Sequence, residues 1–166
     1  MRTFSRWLKH LCFGHWQVRR AFPPAAMRAI EVTIREAERT HQGEIRFAVE
    51  AGLDIGPLFR NQGARERALE VFSDLRVWDT QHNNGVLIYL LLADRDIEII
   101  ADRGVHAYVG AEGWEKICRE MEAEFRVGLF EQGVVHGIKA VSAYLQRYYP
   151  KRGGDINELP NRPTVL

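Results

Sequence analysis

The stretch Asn83 to Gly104, NNGVLIYLLLADRDIEIIADRG, constrains the fold of this chain more than any other. Val86 to Leu92 is an apolar run of strand length, and it ends in the polar turn Ala93-Asp94-Arg95. Asp96 to Ala101 follows as a second strand and closes on Asp102-Arg103-Gly104. Two short β-rich runs joined by a few turn residues read as a β-hairpin. The first run has almost no polar face, so it must be covered on both sides, as central strands of α/β sheets are.

The rest of the chain supplies that cover. Pro23-Pro24 opens a helix with Met27, Ile30, Ile34 and Ala37 on one face, and it stops near Gly43. Glu44 to Glu50 alternates Ile45, Phe47 and Val49 with other residues, which is strand period. Residues 62–76 repeat Ala64, Ala68, Val71, Phe72 and Leu75 at helical spacing. Two further helices are expected near Ala111–Val127 and Glu131–Tyr149, with VHAYVG as a loop before them. A strand, helix, strand unit calls for parallel strands and a right-handed crossover. The expected fold is therefore α/β: a small mixed β-sheet sandwiched between helices on both faces. Three segments are expected, a basic amphipathic arm over 1–22, the α/β domain over 23–150 and a flexible tail over 151–166.

Charge is balanced overall, with a net value of +1, which argues against a nucleic-acid partner. It is not evenly spread. Residues 1–20 hold Arg2, Arg6, Lys9, Arg19 and Arg20 and no acid, so the body is mildly acidic. Phe4, Trp7, Leu8 and Leu11 share one helical face in that arm. Such a helix either packs on protein or lies on an anionic membrane, and Arg2, Arg6, Trp7, Lys9 and Trp16 are the candidate contacts. No run approaches the ~20 apolar residues of a membrane span. Arg6, Lys9 and His10 interrupt the N-terminal apolar residues, which is unlike a signal peptide. The expected location is cytoplasmic, peripheral to the inner membrane through residues 1–20.

Strand direction sorts the polar residues into two ends. Glu44, Asn84, Asp102 and Arg103 gather at one end, under the loop Asp79–Asn83, and Glu50, Asp94 and Asp96 gather at the other. At the first end, oxygen donors from Glu44, Asp79, Asn84 and Asp102 suit a hard cation such as Ca²⁺ or Mg²⁺. Asp102 and Arg103 are the catalytic candidates, with Arg103 able to grip a phosphate oxygen. Asp94-Arg95 reads most simply as a solvated turn. His82 and His106 lack zinc-ligand spacing, and no phosphate-cradling glycine loop is present.

Taken in order, the Gly43-Glu44-Ile45 corner, Asn84-Gly85-Val86-Leu87, the Asp94-Arg95 turn and Gly104 followed by two helices resemble the TPM domain family over about residues 23–149. The resemblance implies a Rossmann-like sandwich, divalent-metal binding and, in some members, weak phosphatase activity. Asn83 stands where the family often has an aspartate, which removes one charge from such a metal site. Two functional readings follow. The first is a non-catalytic accessory domain acting with a membrane-associated protein partner. The second is a divalent-metal-dependent, acid-phosphatase-like phosphomonoesterase.

Overall fold

The computed structural model describes residues 2–153 and 156–166, with side chains from Arg6 onward. In chain order the elements are α1 (Arg2–Cys12), α2 (His15–Ala21), α3 (Pro24–Glu38), β1 (Glu44–Glu50), α4 (Ile55–Phe59) and α5 (Ala64–Asp74). They continue as β2 (Gly85–Leu91), β3 (Asp96–Ala101), α6 (Arg103–Arg126), α7 (Phe130–Tyr148) and β4 (Thr164–Val165). The strands form one mixed sheet in the order β3-β2-β1-β4. β1 runs parallel to β2, with Ile45 opposite Val86, and β3 returns antiparallel, with Ile99 opposite Ile88.

All of β2 is buried, as its apolar sequence demands. Its side chains alternate between two separate cores. Val86, Ile88 and Leu90 join Phe47, Ile34, Phe125 and Ile138 under α3, α6 and α7. Leu87, Tyr89 and Leu91 join Ala48, Leu58, Ala68 and Val71 under α4 and α5. Each large aliphatic side chain withdrawn this way contributes about 1.5–3 kcal/mol. On the α5 side one polar network is embedded. The Tyr89 hydroxyl donates to Glu50 Oε2 at 2.5 Å, and Arg67 grips the same carboxylate with Nε at 2.9 Å.

Two expectations are corrected. The residues VHAYVG are helical, not a loop. The Asp102 carboxylate accepts the Arg103 N–H at 2.7 Å and caps the helix, which therefore begins eight residues early. Gly110, at φ 71° and ψ 171°, kinks it where the expected helix would have started.

The second correction concerns the tail, expected to be flexible over 151–166. Residues 156–166 dock across the sheet. Glu44 accepts the N–H groups of Glu158 at 2.9 Å and Leu159 at 3.3 Å. Arg46 donates to the Pro160 carbonyl and, at 2.7 Å, to Thr164 Oγ1. β4 then adds to β1, with Thr164 opposite Ala48 and Val165 opposite Val49. A buried carboxylate and guanidinium at an open strand edge need partners, and the tail backbone supplies them.

Gly85 makes the entry to β2 possible, because a methyl there would collide with the Val77 carbonyl oxygen. Gly85→Ala should therefore cost about 1–3 kcal/mol, the range for overpacking against a fixed backbone. Chemical denaturation with an unchanged m-value would establish it; a midpoint equal to wild type would show that the loop yields.

Candidate functional site

At the polar end of the sheet, the ends of β2 and β3 are tied together. The Asp102 N–H donates to the Gly85 carbonyl at 2.9 Å, and the Val105 N–H donates to the Asn83 carbonyl at 3.2 Å. Asn83 adopts φ 50°, a left-handed conformation that asparagine accepts more readily than most residues. Asn84 is fully buried. Its N–H donates to Thr80 Oγ1 at 3.1 Å and its Nδ2 to the Gln42 carbonyl at 3.1 Å. Its Oδ1 has no hydrogen-bond partner among the described residues, and neither does Asp102 Oδ2. Two unpaired buried oxygens on adjoining strand ends are the notable feature of this end. Gly104, two residues past Asp102, lies close to the Asn83 and His82 carbonyls and the Tyr149 hydroxyl. Burial, then the neighbouring Tyr108 and Asp102, push that hydroxyl above its usual range.

The four proposed metal ligands are not assembled as one set. Glu44 is buried and holds the tail, Asp79 is exposed on its loop, and Asn84 and Asp102 each keep a buried oxygen with no hydrogen-bond partner among the described residues. Among the described residues, no three His, Cys, Asp or Glu side chains form a metal-holding group. The fit to a cation is thus partial: an amide oxygen and a carboxylate oxygen, both hard donors. Arg103 is exposed on the first turn of α6.

Beside this end, Glu38 and Glu44 flank a cavity of about 380 Å³ that also meets His41, Arg35 and Asn161. Glu38 Oε1 accepts the Ile45 N–H at 2.9 Å, and Oε2 accepts from Asn161 of the docked tail. Burial pushes the Glu38 carboxyl up to about 8, with Glu44 adding to the rise and Ile45, Asn161 and Arg46 opposing it. Glu38 was not a sequence candidate, since its partners lie on β1 and in the tail.

The arm is the other site. Arg6 donates to Asp94 Oδ2 at 3.1 Å and to the Gln62 carbonyl at 2.8 Å, and Trp7 packs edge-on against Phe59 at 4.6 Å. His10 is buried. Its Nδ1 accepts the Leu53 N–H at 2.8 Å, and its Nε2 stands 3.1 Å from Asp94 Oδ1. The Asp94 turn is therefore a socket for α1 rather than a solvated corner. Burial alone would raise the Asp94 carboxyl, but His10 and Arg6 hold it below the usual carboxylate range. Arg6 and Trp7, expected to face a partner or membrane, are turned onto the chain's own body. Leu8, Lys9, Leu11, Trp16, Arg19 and Arg20 remain exposed. The side chain of Arg2 lies outside the described residues. His10, Glu38 and the anchoring role of Asp94 escaped the sequence reading because partners such as Leu53, Arg6 and Asn161 lie 43 residues away or more.

Fold and site define an α/β sandwich that gathers amides and carboxylates where two parallel strands begin. The chain belongs to the TPM domain family: the family model of the TPM domain matches residues 19–144. It resembles the BA42 protein of the psychrophilic bacterium Bizionia argentinensis, solved by NMR, at 33% identity and a TM-score of 0.75, over 86% of this chain and 93% of that one. It shares its fold with the N-terminal domain of a P. gingivalis protein at 20% identity and a TM-score of 0.61, over 78% and 81% of the two chains. No curated protein matches.

Glu38 carries a pH prediction. Unfolded, it loses its proton near 4.5; folded, it keeps it until about 8. Between those values the native state binds more protons, so this group's stabilising effect is full below the lower value and is lost as pH rises through the upper one. Urea denaturation should show stability falling from pH 5 to pH 8.5, and Glu38→Gln should flatten that slope. A slope unchanged in the variant would assign it to other groups.

Proposed function

We propose that this protein is a non-catalytic binding domain of the TPM type. It would work at an anionic membrane surface on the cytoplasmic side of the inner membrane, alongside a membrane-associated protein partner. The observation that carries the reading is the outer face of the arm. Leu8, Leu11 and Trp16 are 50%, 60% and 61% exposed, and Lys9, Arg19 and Arg20 lie exposed among them. Apolar tips interleaved with cations suit a surface of lipid headgroups. The Arg6, Trp7 and His10 contacts seat α1 on the body and buried Val18 seats α2, so little ordering entropy would be lost on docking. Among the described residues no helix is long and apolar enough to cross a membrane. Contact through the arm is therefore peripheral in this reading.

Co-sedimentation with vesicles rich in phosphatidylglycerol tests it. Full-length protein should bind these and not vesicles of phosphatidylcholine alone. The double variant Leu11→Glu/Trp16→Glu should weaken binding about tenfold or more, since two apolar side chains are worth well over 1.4 kcal/mol. Equal partitioning of both proteins would sink the reading.

A second reading rests on the unpaired oxygens Asn84 Oδ1 and Asp102 Oδ2. They would hold a divalent cation, and a cation held there would neutralise charge on a phosphomonoester. Arg103, exposed beside them, would take a phosphate oxygen. Titration with Ca²⁺ and Mg²⁺, followed by the amide signals of Asn84, Gly85 and Asp102, tests this. Saturable shifts that Asp102→Ala abolishes, with turnover of a generic phosphomonoester, would support it. Flat titrations would remove it.

A further inference from the structure

The two edges of the sheet are treated differently. Beyond β1, the chain lays down its own tail as β4. Beyond β3, the strand order ends. The pattern of backbone bonding on β3 follows from one contact. Asp102 N–H bonds the Gly85 carbonyl, so that opposed pair is of the hydrogen-bonded kind. In an antiparallel ladder these pairs alternate, which assigns Ile100, Glu98 and Asp96 to β2. Ile97, Ile99 and Ala101 therefore point their N–H and C=O groups outward. Among the described residues no strand or loop backbone pairs with them. The thiol of Cys118 sits by the backbone of Ile99, which agrees with that direction.

These groups line the floor of a groove of about 750 Å³ between α5 and α6. Trp114 and Cys118 wall it on the α6 side, and half-exposed Leu69 walls it on the α5 side. α6 is kinked at Gly110, between the groove-lining residues His106 and Ala111. Its width and its open strand suit an extended segment, which would add backbone hydrogen bonds along β3. The tail on β1 shows that this sheet already grows by such addition.

Charge selects the occupant. Asp96, Glu98, Glu115 and Glu122 border the groove against Arg65 and Arg119. Asp96 and Glu98 lie on one face of β3, two residues apart, so a paired strand would set its own i and i+2 side chains beside them. Burial pushes the Asp96 carboxyl up to about 6, and Glu98, Glu122 and Asp94 raise it further against Arg6. Added negative charge is thus disfavoured there, and added positive charge is favoured. A second copy of this chain would place these acids against their own kind, which disfavours pairing of β3 with β3. Arg65 bonds Glu98 at 3.0 Å from a mostly exposed position, so a partner's cation would displace it at little cost.

We propose that the outer edge of β3 is a strand-addition groove that takes an extended segment of a partner protein, with basic residues at alternate positions on the α5 side and apolar ones facing Trp114 and Cys118. The proposal is independent of the arm and of the polar end of the sheet.

NMR on the labelled full-length chain tests it with short peptides as probes. A peptide of alternating lysine and valine should shift the amide signals of Ile97, Ile99 and Ala101 and slow their hydrogen exchange. A peptide of alternating glutamate and valine should bind at least about tenfold more weakly, a difference near 1.4 kcal/mol. Methylating alternate backbone nitrogens of the lysine peptide should abolish binding. Glu98→Lys should narrow or reverse the preference between the two peptides. The proposal is overturned by silent edge amides at millimolar peptide, by equal binding of the methylated peptide, by shifts confined to the arm or to Asn84 and Asp102, or by concentration-dependent pairing of β3 between copies of this chain.

Discussion

β2 buries its seven residues between two helical layers, and the other elements take their places around that burial. A strand with alternate residues Val86, Ile88, Leu90 and Leu87, Tyr89, Leu91 cannot present either face to water. One helical layer alone would leave half of it exposed. α3, α6 and α7 cover one side, while α4 and α5 cover the other. The crossover from β1 through α5 to β2 makes those two strands parallel. The short turn after Leu91 makes β3 antiparallel. Those two connections bring Glu44, Asn84 and Asp102 to the same end of the sheet.

Polar contacts then fasten the parts that apolar burial leaves loose. The Glu50 carboxylate is satisfied from α5 by Arg67 and from β2 by Tyr89. Asp94 anchors α1 through Arg6 and His10, and Glu44, Arg46 and Glu38 anchor the tail. In each case a group that would be costly to bury alone is paired with a segment distant in sequence. The terminal segments therefore dock by specific polar geometry together with apolar contacts, those of Trp7, Val18 and Phe22 at one end and of Leu159 and Leu166 at the other.

The site divides along the same lines. At the Asn84 and Asp102 end, the two residues keep oxygens with no partner among the described residues, whereas Glu44 has been claimed by the tail. At the arm, the contacts that lock the helix use Arg6, Trp7 and His10, and this leaves Leu8, Leu11 and Trp16 facing outward. On α1, Arg6 and His10, four apart, lie on the docked side, while Leu8 and Leu11, three apart, lie exposed; Trp16 is exposed on α2.

The sequence by itself determined the hairpin, the layered α/β class, the β1 and β3 bounds, the parallel crossover and the placing of Glu44, Asn84 and Asp102 at one end of the sheet. Each of these follows from local periodicity and strand direction. It also carried the Asp102 cap, visible afterwards as an aspartate before a helical stretch, although Gly110 hid the first turns from a periodicity argument. Only the tertiary structure decided that Asp94 is a socket, that the tail ends in a strand, that burial raises the Glu38 carboxyl and that no described strand pairs with the outer edge of β3. Those depend on which distant groups meet, and burial of a charge has no signature in the residues next to it. Whether Glu44 faces solvent, a cation or the Glu158 N–H is settled by where residues 156–166 come to rest, not by the residues around Glu44.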